Sequence, residues 1–160
     1  HLSLFLTLLK DDPDLQKALK INVGNINIEA TLLNCPVYNF AALGQREILN
    51  TKGQKRMFGP NYQYLFYRER YSPNTHIRSL KTPLFISTCT NDFLREHALG
   101  LKFDLHLYGY KNYKFIDIHA LDKKIGHVHN VNYPLLRESI EVNKGMMDFI
   151  KKAIRQNEKR

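Results

Sequence analysis

Pro83-Leu-Phe-Ile-Ser-Thr-Cys89 is a short apolar run that breaks into Thr90-Asn91-Asp92-Phe93, and the same stretch closes on Gly126-His127-Val128-His129. Leu84 to Cys89 is too short for a globular helix and is bounded by Pro83 and the turn-prone Asn91-Asp92. Its lack of polar alternation fits a strand buried on both faces, as parallel strands are. The segment that follows has two periodicities. Leu94, Ala98, Leu101, Leu105 and Tyr108 form a helical stripe, while Leu101, Phe103, Leu105 and Leu107 alternate as a strand would. Helix is the expectation, because two parallel strands need a crossover between them and Gly109 stands where a helix C-cap would. Tyr113 to Ile118 reads as the next strand. The stretch is therefore strand, acid, helix, strand, Gly-His.

Outward from this stretch, the flanking segments read as an α/β layer. Leu2, Leu4, Phe5, Leu6, Leu8 and Leu9 leave almost no polar face, which predicts a helix buried on both sides. Asp11-Asp12-Pro13-Asp14 ends it, and Pro13 suits the first turn of a second short helix running to Leu19. Ile28 to Leu33 reads as a strand with Asn34-Cys35-Pro36-Val37-Tyr38 as its exit, since Pro36 has no N–H to give a ladder. Asn39 to Leu80 carries no strand signal and is rich in Tyr and Arg, notably Tyr62 to Tyr71. Excursions of that length between core strands are usually functional. Leu136, Ile140, Met147, Ile150 and Ile154 predict one apolar face of a final helix packed on the sheet.

A strand delivering an acid at its carboxyl end, then a helix, a strand and a Gly-His, resembles the second half of an α/β-hydrolase, where acid and histidine come in that order. Leu2 to Leu8 is similar to the apolar helix after the nucleophile elbow in the esterase and lipase branch, and the strand leaving through Pro36-Val37-Tyr38 is similar to that family's next strand. The resemblance implies a partial α/β-hydrolase: about three mostly parallel strands with flanking helices, spanning residues 1–160 as the carboxyl-terminal half of one domain. Residues 39–80 would be a cap-like insertion whose tyrosines pack on the core or line an acyl pocket. It further implies a serine hydrolase acting on carboxylic esters, with a small-molecule ester as substrate and no cofactor. Within the fold, a peptidase is the alternative.

Asp92 and His127 are the candidate catalytic residues. A carboxylate just past a strand can accept from an imidazole Nδ1–H, fixing its tautomer and stabilising the imidazolium that forms in acyl transfer. Taken alone, Asn91-Asp92 is ordinary turn chemistry. His127 follows Gly126 as the family's base does, whereas His129 occupies a position that is commonly aromatic in relatives. His119 reads as structural, and His97 and His106 as surface or packing residues. Asp92 with His119, His127 and His129 also makes a set that imidazole- and carboxylate-binding metals would suit, although an H-x-H pair is a weak signal. No Gly-x-Ser-x-Gly occurs, and none of Ser3, Ser72, Ser79, Ser87 or Ser139 lies on a strand-to-helix elbow. By the resemblance, the nucleophile and oxyanion donors would belong to the missing amino-terminal half, leaving this chain inactive alone.

Composition bounds the rest. The 160 residues suffice for one core burying roughly 70% of its surface, and 43% hydrophobic with 11% aromatic residues argues against disorder. The formal charge of +9 raises a non-catalytic basic module, binding nucleic acid or a partner, as the rival of another class. Its lysines and arginines are scattered, and the cluster from Lys151 to Arg160 reads as a solvated helix end, so no nucleic-acid partner is expected. Cys35 and Cys89 both fall in strand segments and make no disulfide framework, pointing to a reducing, cytoplasmic setting. No stretch reaches the ~18 apolar residues of a membrane span.

Overall fold

Three strands, β1 (Thr31–Asn34), β2 (Leu84–Cys89) and β3 (Tyr113–Ile118), form a parallel sheet in that order in the computed structural model. It describes residues 2–41, 55–56 and 59–158. β2 is the middle strand and is buried at every position. Side chains alternate across the pleat, so Leu84 and Ile86 enter one core while Phe85 and Cys89 enter another. The partners follow the same register: Leu33 lies opposite Ile86, and Ile86 opposite Phe115. β1 begins three residues later than the expected Ile28. Thr31 N–H donates to Pro83 C=O at 2.9 Å, but Pro83 has no N–H to return, so the ladder cannot continue before it.

The first core is roofed by α1 (Leu2–Asp11) and α4 (Arg95–Leu107). Leu4 and Leu8 from α1 and Ala98, Leu101 and Leu105 from α4 meet Leu84 and Ile86, each of them fully removed from water. Fully burying one such leucine or isoleucine is worth about 1.5–3 kcal/mol. The strand-like alternation of residues 101–107 is thus overridden: Phe103 and Leu107 point to solvent. Gly109, at φ 69°, follows the helix as expected. α1 departs from expectation in one respect. It is helical and mostly buried, but Leu2 and Leu6 are exposed, because the helix packs on the sheet and on α2 (Pro13–Leu19) by one side.

Asp11 fastens the end of α1 to the entry of β2. Its buried carboxylate accepts from the Lys81 and Thr82 N–H groups at 2.7 Å each, the Thr82 hydroxyl at 3.0 Å and Lys10 Nζ at 3.1 Å. Burial alone would raise its pKa; those donors outweigh it and lower the pKa instead.

The opposite core is closed by α6 (Arg137–Asn157) through Val142, Phe149 and Ala153, against Phe85 and Ile116. The apolar stripe expected to pack there is corrected in part: Ile140, Met147 and Ile154 face solvent, while Leu136 packs on this core beside Val142, Met146 and Phe149. A Cβ on Gly145 would meet Ile116 Cδ1 at 3.1 Å and the Phe85 ring at 3.3 Å, so the helix is pressed onto the sheet at that turn. Between β1 and β2, the described part of the insertion includes α3 (Leu65–Arg70) and short 3₁₀ turns. Tyr64, Leu65 and Phe66 are exposed rather than packed, while Tyr71 lies against the first core. Positions 42–54 and 57–58 of the expected cap lie outside the described residues.

Gly145→Leu should overpack this contact and cost about 1–3 kcal/mol, read as a lower urea midpoint at unchanged slope. Asp11→Ala should cost a similar amount, about 1–3 kcal/mol for donors left buried and unpaired. The same assay at falling pH would show the Asp11 contribution, present above the ordinary carboxylate range, disappearing below it, and the variant insensitive to that step.

Candidate active site

The carboxyl ends of β2 and β3 and the exit of β1 converge on one spot. Three residues past β2, Asp92 N–H closes a turn onto Cys89 C=O at 3.1 Å, turning the side chain inward. Its carboxylate is removed from water and fully engaged: Oδ1 accepts from Leu94 N–H at 2.9 Å and Oδ2 from the Thr88 hydroxyl at 3.3 Å. His127 Nδ1 lies 3.0 Å from Oδ1. With Nδ1–H donating to the acid, the lone pair of the ring sits on Nε2. The imidazole is one-third exposed, with the Phe93 ring tilted against it at 4.6 Å between centroids.

The histidine loop is held from two sides by thiols. Cys89 reaches the carbonyls of Ile125 and Gly126 at 3.5 and 3.4 Å. Val128 N–H donates to Cys35 Sγ at 3.4 Å, and the thiol donates to Asn34 Oδ1 at 3.6 Å. Burial, then the nearby Asp92 carboxylate, pushes the Cys35 thiol well above its ordinary value, and burial likewise raises Cys89. Cys35 and Val128 both adopt left-handed backbone, at φ 50° and 49°. Such conformations cost a non-glycine residue about 1–3 kcal/mol and persist where surroundings over-determine them. Behind the loop, Asn130 Nδ2 donates to Asn143 Oδ1 at 2.9 Å and Asn143 Nδ2 returns to Asn130 C=O at 3.2 Å, tying α5 (His129–Asn132) to α6; Asn34 donates to Asn130 Oδ1 from β1.

The structure therefore brings Asp92 and His127 together and separates the other histidines from the acid. His129 is buried, its Nδ1 3.3 Å from Gly126 C=O. His119 is exposed beyond β3. His97, read as surface or packing, accepts at Nδ1 from the N–H groups of Asn39 at 3.2 Å and Tyr38 at 3.4 Å, steadying the exit of β1. The metal-capable group among the described residues is Cys35, Asp92 and His127, and neither His119 nor His129 belongs to it. Cys35 was missed because a cysteine before a proline carries no pattern of its own; its proximity to Asp92 comes from strand order. A cleft of about 280 Å³ opens beside the pair, lined by Ser3, Asn34, Cys35, Leu94 and His127 among others.

This arrangement belongs to the α/β-hydrolase fold. The chain superposes over 99% of its length on esterase B from Lactobacillus rhamnosis, with TM-score 0.77 at 18% identity. In the form inhibited by a tributyrin phosphonate the TM-score is 0.82 at 19% identity, and in a second inhibited form 0.80 at 17%. The chain spans 50–52% of the length of those esterases. No family model matches the sequence, and no curated protein does.

Burial pushes the His97 pKa below the ordinary imidazole value of 6.5, against a smaller opposing pull from Asp92. The unfolded chain then binds a proton that the folded one refuses, so this contribution is present above the ordinary value and lost as pH falls through the folded pKa. Unfolding free energies measured across that window should decline more steeply for the wild type than for His97→Gln.

Proposed function

We propose that this chain is part of a serine hydrolase acting on carboxylic esters, in which Asp92 and His127 are two members of the triad. The observation that carries the reading is the 3.0 Å approach of His127 Nδ1 to a buried, fully hydrogen-bonded Asp92 at the carboxyl ends of parallel strands. His127 takes a proton from the attacking hydroxyl through Nε2 and returns it to the leaving alcohol; Asp92 holds the ring in the right tautomer and stabilises the imidazolium. The nucleophilic serine and the oxyanion donors come from the half of the fold that this chain does not span, entering beside α1, where Ser3 and His127 line a common cleft. The likeness to an esterase inhibited by a tributyrin phosphonate supports short acyl esters as substrates.

The test is hydrolysis of p-nitrophenyl butyrate by the whole protein and by residues 1–160. The whole protein should turn it over and be silenced by serine-directed phosphonates, and residues 1–160 alone should not exceed the buffer blank. His127→Ala should lower kcat by at least about 10⁴-fold, as loss of a triad member does, with His119→Ala unchanged. Full activity in His127→Ala, or robust turnover by residues 1–160, would refute the assignment.

A further inference from the structure

We propose that Cys35, Asp92 and His127 form a binding site for a divalent cation of the zinc and cadmium class. Their ligand atoms, one thiol sulfur, one carboxylate oxygen and one imidazole nitrogen, all lie within 4.8 Å of one another. Zinc binds sulfur at about 2.3 Å and nitrogen or oxygen at about 2.0–2.2 Å, which sets donors about 3.5 Å apart around a tetrahedral ion. One edge of the triangle, Nδ1 to Oδ1, is already 3.0 Å. No edge exceeds 4.8 Å, so a bound ion would draw the widest in by at most about 1 Å.

Three further observations point to a cation rather than to packing. The Asp92 carboxylate is removed from water, and the ion pair it makes among the described residues is with an imidazole, not with a permanent cation. Its other donors, Leu94 N–H and the Thr88 hydroxyl, are neutral, so a dication at this point supplies the full counter-charge they lack. The donor set then selects the metal: thiolate with imidazole favours zinc or cadmium, whereas magnesium and calcium prefer all-oxygen shells. Finally, the cleft that Cys35 and His127 line gives the ion an entry path. Binding places the ion between Nδ1 and Oδ1 and releases one proton to solvent, from the thiol, while the imidazole stays neutral and its proton passes from Nδ1 to Nε2. The ion and the general-base form of His127 are then mutually exclusive, a consequence that rests on the hydrolase reading.

The experiment is a titration of the protein with Cd²⁺ under phosphine reductant, following the ultraviolet thiolate-to-cadmium charge-transfer band, with Zn²⁺ as competitor. A saturable band at one ion per chain is expected. It should vanish in Cys35→Ser and persist in Cys89→Ser and His119→Gln. In His127→Gln and Asp92→Asn binding should weaken by more than about tenfold, the loss that even an outer-shell partner costs. Far-ultraviolet circular dichroism identifies a variant that fails to fold, in which case the remaining two ligand variants decide. No saturable band, a band that requires Cys89, or unchanged affinity in His127→Gln would overturn the proposal. The readout is absorbance, so failure of the esterase assay leaves it standing. Where the whole protein does hydrolyse esters, Zn²⁺ should suppress turnover with the same apparent Kd, and Cys35→Ser should relieve the suppression.

Discussion

A carboxylate shut away from water has to be given donors, and the Asp92 side chain is the point around which this end of the molecule is assembled. A backbone N–H from the start of α4, a hydroxyl from β2 and an imidazole from the loop after β3 converge on its two oxygens, with the Cys35 thiol at the exit of β1 close by. These groups come from different parts of the chain, so satisfying one buried charge helps to fix the relative position of the strand ends. An orphaned carboxylate there would forfeit several charge-assisted hydrogen bonds, each worth about 1.5–3 kcal/mol. The placement of His127 is thus a by-product of an electrostatic demand the fold must meet anyway.

The thiols play complementary parts. Cys89 ends the buried strand and reaches forward to the loop carbonyls, while Cys35 accepts from Val128 N–H and donates to Asn34 Oδ1. Sulfur suits both positions: it is large, polarisable and satisfied by long, weak hydrogen bonds. The paired left-handed residues Cys35 and Val128 mark where two loops are drawn together, and the Asn34, Asn130 and Asn143 amides hold that closure from behind. The imidazole is consequently set on rigid supports although the segment that carries it is irregular.

Much of this was legible in sequence. β2 could be read because all its residues are apolar or small, and β3 and α4 because a parallel pair demands a crossover. Asp92 and His127 were visible through their order along the chain. What escaped was governed by closeness of approach. Ile140, Met147 and Ile154 fall on the helical stripe that attracted the prediction, yet the face that meets the sheet carries Val142, Met146 and Phe149, with Gly145 where the backbone comes nearest Ile116 and Phe85. The start of β1 escaped for another local reason, a missing N–H on the partner strand. Cys35 was invisible because its neighbours are contributed by residues more than fifty positions away, and no spacing rule encodes that.

The wholly parallel sheet also dictates an order of assembly. Parallel neighbours cannot be joined by a tight turn, so each pairing has to await closure of a long connection, and shorter closures cost less entropy. β2 and β3 are linked through α4 alone, whereas β1 reaches β2 only across the whole insertion. Loop closure therefore favours the β2–α4–β3 pairing over the β1–β2 pairing. Asp92 belongs to the first, while Cys35 belongs to the exit of β1. The acid keeps one face open to water until the costlier closure is made.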